Sequence, residues 1–137
     1  MKGTTTYLHF TGHCRAAMAL YRECFGGDVQ FMPYPEASGN PNPAPDAPVQ
    51  HSALTHDGQA FLMASDYPPG AAAPSYTGGH FSVFVDCSSD AEVETFFKAL
   101  SKGGRVTVPP SDMHFGRFAM CEDPFGVSWI LNCAKAA

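Results

Sequence analysis

The chain has 137 residues, a formal net charge of -5, 45% hydrophobic residues and only 15% charged ones. That length suits one compact domain, from a single core or two similar halves, and the acidic balance excludes the basic surface that nucleic acid or an anionic membrane requires. No stretch approaches about 18 uninterrupted apolar residues, and the start "MKGTTTYLHF" lacks the apolar region of a secretory signal. A cytoplasmic location without membrane or nucleic-acid partners is the expectation. Cys14, Cys24, Cys87, Cys121 and Cys133 form an odd set without a C-x-x-C pair. That is neither a disulfide framework nor a zinc ribbon, and it leaves buried free thiols.

From Thr4 to Phe10 the residues alternate, with Leu8 and Phe10 on one face and Tyr7 and His9 on the other, which predicts a strand. "CRAAMALYRECFGG" follows. Cys14, Met18, Tyr21 and Phe25 recur at helical spacing, and Gly26-Gly27 terminates the helix. "DVQFMPY", "VQHSALTH" and "QAFLMASD" then read as strands. "HFSVFVD" (80 to 86) alternates again, with Phe81, Val83 and Val85 expected to pack on the next helix and His80 and Phe84 to face away. In "SDAEVETFFKALSKGG", Ser89 and Glu92 have capping-box spacing, Val93, Phe96, Phe97 and Leu100 form the apolar stripe, and Glu94 and Lys98 stand in the favourable i, i+4 order. "RVTVPP", "GRFAMCED" and "VSWILN" complete the second half.

An offset of 77 residues brings Gly26-Gly27 onto Gly103-Gly104 and Leu8 onto Val85. This weak internal duplication predicts an α+β fold of two tandem βαβββ modules. The whole chain, 1–137, reads as one domain: module one over about 1–70, a linker over about 67–79, and module two over about 80–137. Six prolines crowd residues 33–48, a loop long enough to be either a plain linker or a lid.

"LYRECFGG", "VQHSAL", "FLMASD", "ALSKGGRVTVPP" and "EDPFGVSWIL", in that order, resemble the vicinal oxygen chelate superfamily, and its PhnB-like branch in particular. That superfamily includes glyoxalase, bleomycin-resistance and extradiol dioxygenase proteins, some catalytic and some only sequestering. The resemblance implies that each module curls its mixed sheet into a cup with the helices outside, and that the chain is a homodimer whose cup-shaped cavities bind a small oxygen-rich or aromatic metabolite. The alternatives are a divalent-metal-dependent lyase, isomerase or dioxygenase-like enzyme with a reduced ligand set, and a non-catalytic partner-binding module. The name of ubiquinone methylation carried by some PhnB-like proteins finds no support here, because no glycine-rich turn follows a strand and opens a helix.

The ligand-binding candidates are Tyr7, His9, His51, His80 and Phe84. His80 matches the ligand that opens the second module in metal-using relatives, and His51 stands where PhnB-like sequences carry a characteristic histidine. An imidazole in either place can bind substrate, move a proton or coordinate. A divalent metal would fall to His80, His51 or His9. Those relatives also use a glutamate four residues after the glycine of the DPxG turn, and that position is Ile130, which has no donor atom. No catalytic residue and no cofactor is assigned by the sequence. Arg117 is a further candidate for an anionic group, Asp66 and Glu122 read as turn and edge residues, and Trp129 as core.

Overall fold

Both halves of the chain realise the predicted alternation and helical stripes with the same topology. A computed structural model describes residues 1–35, 44–72 and 80–136. The chain divides into two compact units, Met1–Ser75 and Tyr76–Ala137. Residues 36–43 of the proline-rich segment and 73–79 of the expected linker lie outside the described residues, so the lid reading does too.

In the first unit the elements are β1 (Thr6–Phe10), α1 (Cys14–Phe25), β2 (Asp28–Pro33), β3 (Val49–His56) and β4 (Gln59–Asp66). The sheet runs β1-β4-β3-β2, with β1 and β4 parallel and the other pairs antiparallel. One face packs under α1. Leu8, Ala64 and Ser52 stand side by side across three strands, all buried, and Cys14, Ala17, Met18 and Tyr21 of the helix are fully buried. The N-terminus of α1 has no side-chain cap of its own at His13. Asp66, buried at the end of β4, supplies the anion that a helix start favours: Oδ1 accepts from Cys14 N at 3.0 Å and Oδ2 from Val49 N at 3.0 Å. Asp66 is therefore an internal tie and not an edge residue.

In the second unit β5 (Val83–Asp86), α2 (Asp90–Ser101), β6 (Arg105–Met113), β7 (Gly116–Glu122) and β8 (Ser128–Ala134) form a sheet ordered β5-β8-β7-β6, again parallel only at its first pair. Val83, Val85, Val93, Leu100, Ala119, Trp129 and Leu131 fill the space under α2. The capping box forms in part: Ser89 Oγ accepts from Glu92 N at 3.2 Å, while Glu92 Oε2 accepts from Ser88 N at 2.7 Å. Glu94 is drawn to Arg117 of β7.

The strand expected from His80 is shorter, starting at Val83, and Phe81 is 70% exposed where helix packing was expected. The turn into β8 accounts for this. Val127 N donates to Asp123 Oδ1 and Val127 O accepts from Asp123 N, so its amide is used and its carbonyl shared within the turn instead of extending the ladder toward Phe81. At the other end β6 runs on to Met113, beyond the expected Pro110.

The repeated Gly-Gly pairs do more than end helices. Gly26 takes a positive φ of 77° and closes α1 with its N–H on Arg22 O at 2.8 Å. The second glycine of each pair passes directly under a strand backbone. A Cβ on Gly27 would collide with Thr55 O, and one on Gly104 with Glu122 O. The duplication is thus a packing requirement met twice.

Candidate functional site

In the first unit the sheet face turned away from α1 carries a run of rings. Tyr7 and His9 project from β1 on the side opposite buried Leu8 and Phe10. Tyr7 stands beside Met63, His9 beside Ser65, and His51 beside Met32. The Tyr7 hydroxyl and His51 Nδ1 share a hydrogen bond of 2.9 Å across the sheet. The rings continue through Tyr7–His9 at 5.1 Å, Tyr7–His51 at 5.7 Å, and His9 stacked on Tyr67 at 5.5 Å and 18°. Three of the sequence-predicted residues therefore meet on one face.

The chemistry of the Tyr7–His51 pair does not depend on which partner donates. If the phenol donates to Nδ1, the imidazole hydrogen sits on Nε2; if Nδ1–H donates to the phenolic oxygen, the phenol keeps its hydrogen. Either way one hydrogen is used internally and one remains to offer outward. Tyr67 was missed, because "YPPG" reads as the start of a loop. The signal was present: Tyr67 keeps the parity of Met63 and Ser65, and its N–H donates to Phe10 O at 2.8 Å, one step beyond β4.

The second unit's corresponding face is apolar at its centre. Phe84 pairs with Ile130, which pairs in turn with Met120, and Phe84 is 56% exposed. Ser82 Oγ and Ser128 Oγ are hydrogen bonded at 2.7 Å beside them. Asn132, on the same face by alternation, has a buried Oδ1 with no partner among the described residues. His80 is exposed and lies before the strand it was expected to open. Arg117 projects to the α2 side, where it binds Glu94, and Asp112 at 3.1 Å, so its guanidinium is spoken for. Glu122 pairs with Arg105 at 3.2 Å. A hollow of about 550 Å³ is lined by Tyr34, Pro35, Asp46 and Pro69 and includes none of the candidate side chains.

A family-type divalent centre does not fit these residues. Ile130 contributes a hydrocarbon where a carboxylate is needed, His51 Nδ1 is engaged with Tyr7, and no group of three or more His, Cys, Asp or Glu side chains able to hold an ion exists among the described residues.

The thiols are equally unsuited to nucleophilic work. Cys14, Cys87 and Cys121 are buried, and burial pushes each from the ordinary value of 9.0 to about 11. At pH 8 that leaves roughly one thiol in a thousand ionised. A maleimide titration at pH 8 is expected to label at most Cys24 and Cys133, which are half-buried, and all five cysteines only after denaturation. Folding holds the three protons on while the unfolded chain releases them, so these thiols lower stability as pH rises from about 9 to about 11. Rapid labelling of Cys121 in the native protein would contradict its burial.

Two four-stranded mixed sheets, each βαβββ with one parallel pair, define the glyoxalase fold class. The model of the Glyoxalase/Bleomycin resistance protein/Dioxygenase superfamily matches residues 5–131, and the chain belongs to that superfamily. Among solved structures it is similar to protein PA1353 from Pseudomonas aeruginosa, at 32% identity and TM-score 0.81 over 99% of this chain and 100% of that one. It also resembles a PhnB protein from Bacillus cereus, at 27% identity and TM-score 0.75 over 97% and 100% of the two chains. A glyoxalase/bleomycin resistance protein/dioxygenase family enzyme from Burkholderia phytofirmans, at 15% identity and TM-score 0.62 over 96% and 97%, shares the fold. No curated protein matches the sequence. No helix among the described residues is long and apolar enough to cross a membrane.

Proposed function

We propose that the protein is a PhnB-like small-molecule-binding member of this superfamily, acting on or sequestering a small oxygen-rich or aromatic metabolite. The observation that carries this reading is the Tyr7–His51 hydrogen bond set in a run of four rings on the sheet face opposite α1. Buried sheet faces are apolar; a face that keeps two imidazoles and two phenols together has the few convergent polar groups of a recognition site. Tyr7, His9 and His51 are the binding residues in the first unit. Phe84, with His80 upstream of it, is assigned the same role in the second. The chain is further proposed to work as a homodimer in the cytoplasm.

Thermal denaturation with a panel of dihydroxy, keto-acid and aromatic compounds tests the reading. At least one should raise the melting temperature in step with the logarithm of its concentration, by about 2.7 kcal/mol of stabilisation at a hundred times its Kd, and His51→Ala should abolish the shift. A panel in which nothing stabilises the protein would remove it. Light scattering at micromolar concentration tests the dimer, and a monomer mass would overturn that part.

A further inference from the structure

We infer that the open face of the first unit selects an aromatic ring bearing an anionic oxygen group, of the aromatic carboxylate type. The inference rests on the reading that this face binds a small molecule, and it specifies the class. Its basis is the balance of donors and acceptors. The Tyr7–His51 pair keeps one hydrogen to donate outward in either arrangement. His9, exposed, tilted against Tyr7 and stacked on Tyr67, adds a ring N–H in any tautomer.

Acceptors of full charge are missing from the same place. Among the open-facing positions of the four strands, the sole carboxylate is Asp28, which pairs with Thr55, four residues along β2 from the Met32–His51 pair. Asp66 is turned to the helix side and already holds Cys14 N and Val49 N. The cluster is thus a set of donors with no internal anion, and a carboxylate accepts two or more such donors where a neutral amide oxygen forms weaker bonds. The groups around it are flat or soft. Tyr7 is 37% exposed and Met32 54% exposed, and with Met63 they offer ring and thioether surface for a planar ligand body.

The test uses the full chain with methyl-labelled methionine and two probes of one shape, benzoate and benzamide, followed by NMR. Benzoate should shift the Met32 and Met63 methyl signals saturably while the signal of fully buried Met18 stays fixed, and should bind roughly tenfold more tightly than benzamide. His51→Gln should bring that ratio below about threefold. His9→Gln, read against the unmoved Met18 signal as a check on folding, should lower it in part. Equal binding of the two probes would overturn the selection for an anion while leaving small-molecule binding intact. Failure of both to move Met32 and Met63 would overturn the inference outright, and only a blank thermal panel as well would bring down the broader reading.

Discussion

Asp123→Ala is expected to destabilise the protein by about 4 kcal/mol in urea unfolding, because hydrogen bonds to a charged acceptor contribute roughly 1.5–3 kcal/mol each. Asp123 is 2% exposed and serves three donors at once. Oδ1 accepts from Phe125 N at 2.9 Å and Val127 N at 3.0 Å, and Oδ2 from Trp129 Nε1 at 2.9 Å. Trp129 is fully buried, so removing the carboxylate strands an indole N–H in the core together with two turn amides. Trp129→Phe should cost less, about 2 kcal/mol, since it loses one bond and some volume but leaves the turn closed. An Asp123→Ala loss under 1 kcal/mol would mean that water replaces the carboxylate and that the turn does not hold β8 in place.

The same turn shows what was legible in the sequence and what was not. "DPFGVSWILN" carried its strand alternation openly, and Ile130 does face away from the helix, paired with Phe84 and Met120. Short-range periodicity is a property of neighbouring residues, so both helices and the βαβββ order could be read directly. Contacts between residues distant in sequence could not. Asp66 is 52 residues from the helix start it caps, and Arg117 is 23 from Glu94; nothing local distinguishes either from a surface charge. The shortened β5 has the same origin, since the backbone of Val127 is spent on Asp123 and not on Phe81. In the candidate site, alternation correctly put Tyr7 and His9 on one face, but the meeting of Tyr7 with His51, 44 residues away, depends on the order β1-β4-β3. Tyr67 was lost because the prolines after it suggested a loop, although its N–H still donates to β1 one residue past the end of β4.

Asp66→Ala carries the second large effect, about 3 kcal/mol of stability, and it reaches the site as well. The carboxylate binds the first amide of α1 and the first amide of β3, which follows the proline-rich segment and leads to His51 two residues on. Removing it leaves a fully buried amide without an acceptor at Val49 and an uncapped helix start at Cys14. The entry of β3 then loses its anchor to β4, and the approach of His51 to Tyr7 loosens with it. The expected signature is a changed His51 ring environment by NMR in a protein that still folds at low temperature, with weaker benzoate binding and an unchanged Phe84 signal. Asp66→Asn keeps one acceptor and should recover about half of the stability. If Asp66→Ala lowers stability but leaves the His51 ring signal and benzoate affinity at wild-type values, the register of β3 is held by its ladder alone. The carboxylate would then be a helix cap with no part in building the site.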